Sequence, residues 1–401
     1  MVDRRLLELK EEMETEAQNL LGFWEKYAFS DDDNIVFHGA VDANLTPDLQ
    51  ANKHIVLTAR LVWTFSYAYR LFGEMRYKEI AQRMYEYLVS HFIDREYGGV
   101  FWEVKADGTP HDTNKRTYGE SFAIYALSEY YRTFGEQKAL DEAIAIYECL
   151  EAHAYDKEHK GYYEALTRDW KYEQKEQVSN VNPYSSACKT MNTHLHLLEA
   201  YTSLYRVWKD PGLKDSLVEQ IEVMIEKIVN QNNWHYMLYF DRAWNSITPD
   251  ISYGHDIEGS WLLWEAAECV GDEKLKEYVK PVSMKMAEAI YEEGWHDDGG
   301  IIYEYNPLNG KVLDFRSWWV QAEAVVGFFN AWQLTGDSKY LDAAERVWEF
   351  TKKEVIDHEN GGWFSFAVSD GRPTKRIDGW TCPYHNARMC YEIMERIQHQ
   401  I

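Results

Sequence analysis

The chain has 401 residues, 45% of them hydrophobic and 15% aromatic, with a formal charge of −25. That balance excludes nucleic acid and anionic membranes as partners, because both reward a basic face. No run approaches the roughly 20 apolar residues of a membrane span, and the opening MVDRRLLELKEEMETEAQ is too charged for a secretory leader. Cys149, Cys188, Cys269, Cys382 and Cys390 are scattered without CxxC spacing, which predicts a reduced, cytoplasmic protein lacking a zinc knuckle.

In chain order, charged and less charged helices alternate. RRLLELKEEMETEAQNLLGFWEKY (4–27) carries charges between apolar residues spaced by three and four, the mark of one exposed face. TARLVWTFSYAYRLFGE (58–74) is apolar around much of its circumference, so it predicts a buried helix. YKEIAQRMYEYLVSHFID (77–94) returns to the charged pattern and runs into DREYGGVFWEVKADGTP, whose glycines and alternating aromatics predict short hairpins or turns. The same cycle of buried helix, charged helix and Gly/aromatic loop then recurs every 60 to 75 residues or so. Its buried members are GESFAIYALSEYYRTFGE, NTHLHLLEAYTSLYRVWKD, DIEGSWLLWEAAECVGDE, VQAEAVVGFFNAWQLTGDS and NARMCYEIMERIQHQ. Six buried helices inside six charged ones predict an all-α (α/α)6 barrel, with short β-hairpins in the loops at one rim. The competing architecture is an open α-solenoid. Linkers rich in Pro or Ser are absent, so residues 1–401 are expected to form a single catalytic domain.

In such a barrel the inner helices begin at one rim, and their first turns surround one pocket. Those turns carry Arg60, then Tyr118 and Glu120, Asn192 and His196, His255 and Glu258, Trp318 ahead of Glu323, and finally His385 and Arg388. Helical spacing puts Asn192, His196, Glu199 and Ser203 on one face and turns His194 away as a structural histidine. His255 and Glu258 share a face likewise, so Glu258 is expected to orient His255 or to grip a substrate hydroxyl. Asp256 is expected to order the helix start.

His196/Glu199 and His255/Glu258 are both His-x-x-Glu, which raises a metal site. The order is the reverse of a di-iron motif, however, and HExxH and EF-hand loops are absent. A glycosidase would need two carboxylates facing across the scissile bond, and Glu120, Glu258 and Glu323 are the available members. Histidines from three helices fit a different chemistry, proton transfer next to a carbonyl. Imidazole serves there as base or acid near neutral pH, and Arg60 can hold the developing negative oxygen.

KTMNTHLHLLEAYTSLYR (189–206), SYGHDIEGSWLL (252–263), WWVQAEAVVGFFNAW (318–332) and WTCPYHNARMCYE (380–392) resemble the N-acylglucosamine 2-epimerase superfamily, closest to its cellobiose 2-epimerase branch. The resemblance spans essentially the whole chain. It implies an (α/α)6 barrel that needs no cofactor and no metal and inverts C2 of a reducing sugar, with a reducing disaccharide or aldose as its small-molecule substrate. It implies that His255 and His385 are the paired acid/base groups and His196 a third required histidine. Arg60 and Asn192 are then the holders of the C1 and C2 oxygens, Tyr118 and Glu258 further polar contacts, and Trp318 and Trp380 ring-stacking platforms with Tyr303 beside them. A monomer or weak homodimer is expected. The segment Ser179 to Lys189 departs from the family in lacking the charged acidic loop that some members carry there.

Overall fold

The computed structural model describes residues 4–29, 36–173, 187–371 and 375–400. Twelve helices follow one another: α1 Arg4–Tyr27, α2 Ile55–Phe72, α3 Met75–His91, α4 Thr117–Phe134, α5 Gln137–Cys149, α6 Met191–Val207, α7 Pro211–Val223, α8 Tyr253–Val270, α9 Glu273–Glu293, α10 Trp318–Thr335, α11 Ser338–Glu354 and α12 Tyr384–Gln398. The odd-numbered helices form the outer ring and the even-numbered ones the inner ring. On α1 only a stripe is buried, through Leu6, Leu9, Met13, Ala17 and Leu20, whereas α2 is buried continuously from Ile55 to Ala68. Four inner helices stop at a glycine in the left-handed region (Gly73, Gly135, Gly271 and Gly336). There the backbone N–H turns back onto the carbonyl four residues earlier. Asp210, Asp272 and Asp337 cap the outer helices α7, α9 and α11.

The ring closes on itself, which decides against the solenoid. Helix α12 packs against α10, α2 and α1. Trp363 Nε1 donates to the buried Glu16 carboxylate of α1 at 2.7 Å, and Trp348 Nε1 of α11 donates to Glu12 at 2.6 Å. No helix among the described residues is long and apolar enough to cross a membrane.

Short strands gather on the rim where the inner helices begin: β1 Val41–Asp42, β2 Lys53–His54, β3 Glu103–Val104, β4 Pro110–Asp112, β5 Lys115–Arg116, β6 Ala165–Leu166, β7 Lys189–Thr190, β8 Tyr239–Phe240, β9 Ile251–Ser252, β10 Glu304–Asn306, β11 Lys311–Leu313 and β12 Lys375–Ile377. Among the described residues only β3–β4 and β10–β11 are hairpins; β2–β3, β5–β6, β7–β8 and β9–β10 instead join one loop to the next, and β1–β12 joins the first loop to the last. Loops that cannot bury a face of their own are thus tied into a collar around the pocket.

A second tie repeats at the fourth residue of four inner helices, α4, α6, α8 and α10. Glu120, His194, Asp256 and Gln321 each accept a backbone N–H from the preceding loop: that of Val100, Tyr162, Tyr236 and Ile301 respectively, at 2.7 to 3.0 Å. Glu120 therefore faces a loop rather than the pocket, against its sequence expectation, while His194 takes the structural place expected of it. Asp256 braces a loop and pairs with His235 at 2.8 Å, which replaces the simple helix-start role.

Candidate active site

Residues drawn from the first, second, third and sixth positions of the inner helices point inward. They enclose a cavity of about 260 Å³. Helix α2 contributes Arg60, α4 Tyr118, α6 Asn192 and His196, α8 His255 and Glu258, α10 Trp318, and α12 His385, while the rim adds Tyr303 and Trp380. Whereas Glu120, Glu323 and Arg388 of the same turns do not line the cavity, all ten residues to which the family resemblance gave a role meet there. Trp319 joins them unforeseen, its ring 4.7 Å from that of His255 and 5.5 Å from that of His385. The repeated Trp was its only signal, and the resemblance had assigned the stacking role to Trp318. Gly254 makes room for Trp319: a Cβ on it would lie 2.5 Å from the indole. Trp380, 39% exposed, stands at the mouth as an open apolar face. The segment 174–186, which includes most of Ser179 to Lys189, lies outside the described residues.

The two histidines expected to act as acid and base differ in what stands behind them. His385 Nδ1 lies 2.6 Å from Glu323 Oε1, whereas His255 Nδ1 lies 2.7 Å from Ser252 Oγ. In both cases the backing of Nδ1 leaves Nε2 for the cavity. Ser252 orients His255, so of the two roles expected of Glu258 the orienting one falls to another residue. A carboxylate steadies an imidazolium; a hydroxyl serves either neutral tautomer. His196 Nδ1 contacts Glu199 at 3.1 Å.

Burial is the largest influence on all three rings and favours their neutral forms. It lowers His255 to about 3, with His196 adding to the effect. It also takes His385 well below the usual range, helped by Arg60 and Arg388, and lowers His196 against the pull of Glu199. Each is a neutral imidazole near pH 7, the form a base requires.

Beneath the cavity Arg388 is the hub. Its Nη2 donates to Glu258 Oε1 and Glu323 Oε1, each at 2.6 Å, and its Nη1 pairs with Glu199. Glu258, Glu323 and His385 offer three ligand atoms within 4.8 Å of one another, a spacing that would suit a metal ion. The guanidinium of Arg388 already bridges the two carboxylates, so the donor set is committed to an organic cation.

Arg60 differs. Its guanidinium lies over the rings of Phe122 and Tyr384 and donates to Tyr118 Oη and Cys382 Sγ, each at 3.2 Å. These partners are weak acids rather than carboxylates, so its charge remains available to a negative oxygen in the cavity.

Fold and site together define a closed (α/α)6 barrel with a histidine-lined, tryptophan-flanked pocket. Residues 37–388 match the N-acylglucosamine 2-epimerase family, and the chain belongs to it. It is similar to a cellobiose 2-epimerase of Bacteroides fragilis, 43% identical over 390 residues covering 96% of this chain and 98% of that one. The solved structure of a cellobiose 2-epimerase from Bacillus thermoamylovorans superposes with a TM-score of 0.89 at 39% identity, over 98% and 99% of the two chains. A family 76 mannosidase from Bacteroides thetaiotaomicron shares the fold alone, with a TM-score of 0.63 at 11% identity over 97% and 99% of the chains.

Proposed function

We propose that this chain is a carbohydrate epimerase of the isomerase class. It inverts C2 of the reducing-end aldose of β-1,4-linked disaccharides, turning cellobiose into glucosyl-mannose and lactose into epilactose. One arrangement carries the reading: His255 and His385 share a pocket, each with Nδ1 engaged from behind, while Arg60 keeps a charge free of carboxylates. The similarity to cellobiose 2-epimerases supports the disaccharide as substrate.

The pocket takes the open-chain sugar with its aldehyde against Arg60 and Asn192. One neutral histidine withdraws the C2 proton, and the electron pair moves onto the carbonyl oxygen to give a cis-enediolate. Arg60 stabilises that oxygen because charge develops there in the transition state. The C2–C3 bond turns, and the other histidine takes up a proton from solvent beside the newly formed anion and delivers it to the opposite face of C2 as the carbonyl re-forms, while the first histidine gives the abstracted proton up to solvent. Burial alone would deny either ring its proton. The enediolate's charge offsets this at both histidines, and Glu323 does so again at His385. The direction depends on whether glucose or mannose enters at the reducing end. Trp318 and Trp380 hold the sugar faces, His196 assists ring opening, and the chemistry needs no metal or nucleotide carrier.

A glycosidase reading is disfavoured by the same geometry. Glu258 is the one carboxylate lining the main cavity among the described residues, and it shares Arg388 with Glu323 instead of facing it across a substrate. The test is incubation with cellobiose in heavy water, read by NMR. Deuterium at C2 of a glucosyl-mannose product is expected. Release of free glucose, or a ketose as sole product, would overturn the proposal.

A further inference from the structure

Three buried carboxylates, those of Glu199, Glu258 and Glu323, converge on the single guanidinium of Arg388. Full ionisation would leave this buried cluster two charges short, a cost that such clusters relieve by keeping a proton. The hydrogen bonds identify where that proton sits. Glu199 accepts from Arg388, Tyr384 and His196, which engage both its oxygens. Glu323 receives Arg388 and His385 on Oε1 and Trp261 Nε1 on Oε2. Glu258 takes Arg388 on Oε1, but its Oε2 is buried with no partner among the described residues, on a side chain that lines the cavity. A bare buried carboxylate oxygen is costly; a hydroxyl aimed at a substrate oxygen is not.

We propose that Glu258 enters turnover as a neutral carboxylic acid, with Arg388 on its carbonyl oxygen and its Oε2–H donated to the sugar oxygen on which negative charge develops. The acid and Arg60 then form the two arms of an oxyanion hole, and Glu258 keeps its proton throughout. A neutral acid suits this place because it can donate where a carboxylate would repel the enediolate. The groups around it agree. Glu199 and His196 face it from α6 and Glu323 from α10. Tyr384, His385 and Arg388 face it from α12, Tyr118 from α4, Arg60 from α2, and Tyr236 from the loop after α7. Burial raises the Glu258 carboxyl well above the carboxylate range and Glu323 adds to the rise, against the opposing pull of Arg388.

The inference rests on the epimerase reading for the identity of the acceptor oxygen. Its test reads the resting protein, so failure of cellobiose to epimerise would be a separate result. Infrared difference spectra are recorded at neutral pH between the wild type and Glu258→Gln; Glu16, Glu120, Glu164, Glu304 and Glu323 are also raised by burial, and the difference removes the bands of every group the substitution leaves unchanged. One protonated-carboxyl C=O band is expected in the wild type and absent from the variant. In the wild type alone, which needs no variant to fold, saturation with the unreactive sugar alcohol of cellobiose should shift that band to lower frequency as Oε2–H finds an acceptor. Raising the pH should remove the band and turnover together, whereas the residual turnover of Glu258→Gln should stay flat across that fall. A spectrum showing only ionised carboxylate for Glu258 overturns the proposal. A band that ignores the bound sugar overturns the donor role.

Discussion

Replacing Arg388 by Met removes the guanidinium that touches Glu199, Glu258 and Glu323 while keeping a long buried side chain. The magnitude follows from Glu199. Burial opposes its ionisation, but Arg388 foremost, then His196 and Tyr384, hold its carboxyl at about 2 against an ordinary 4.5. At 1.36 kcal/mol per pH unit that displacement amounts to about 3 kcal/mol of stability. Loss of one partner from a buried ion cluster costs about 3 to 5 kcal/mol by a separate route, so the two figures agree. The sign of the pH dependence is fixed as well. A carboxyl held low stabilises the fold above its unfolded value and loses that contribution only as pH falls toward 2. Without Arg388, burial dominates and the same carboxyl rises above its unfolded value, so the variant is penalised at neutral pH and relieved as the group takes up a proton. Urea unfolding followed by tryptophan fluorescence should show the full deficit near about pH 8 and a smaller one near about pH 5. A deficit below about 1 kcal/mol would place the cluster with exposed ion pairs and refute the reasoning. So would a deficit equal at both values.

Other substitutions separate chemistry from support. His255→Ala and His385→Ala should each lower kcat by about a thousandfold in cellobiose turnover, and near-normal rates in either would sink the two-histidine mechanism. Ser252→Ala leaves His255 Nδ1 without its partner, which should reduce kcat about ten- to hundredfold with KM little changed; Ser252→Thr should recover part of that, and an unaltered Ala variant would show that the hydroxyl does not position the ring. Trp380→Ala, at the open mouth, should raise KM about tenfold and spare kcat, and the reverse split would remove its stacking role. His194→Ala should do the opposite, costing about 2 kcal/mol in unfolding experiments while the folded protein keeps its turnover, since His194 Nε2 accepts the Tyr162 N–H and the side chain does not line the cavity.

What the sequence makes legible depends on how far apart the cooperating residues lie. The alternation of charged and apolar helices is local, so it discloses the two rings. Each inner helix also carries its own inward face, and for that reason Arg60, Asn192, His196, His255 and His385 could be placed together before any contact was known. The supporting contacts are not local. Glu323 stands 62 residues from His385, and Glu199 stands 189 residues from Arg388. Only closure of the ring gives these carboxylates a common cation. Helical spacing proposed Glu258 as the partner of His255 because both share a face, yet a shared face does not decide which atoms meet. Ser252, at the end of β9, reaches the ring nitrogen from outside the helix register. Glu120 misled for a related reason. Its position at the head of α4 is that of a site residue, but it is the fourth residue, and the repeat reserves the fourth residue for a loop N–H. A buried acid near a pocket therefore acquires its role from its hydrogen bonds. In Glu120 both oxygens are taken by Val100. In Glu258 one is buried without a partner among the described residues, on a side chain that lines the cavity. That single unpartnered oxygen, invisible in composition and spacing, is what separates a structural carboxylate from one able to meet a substrate.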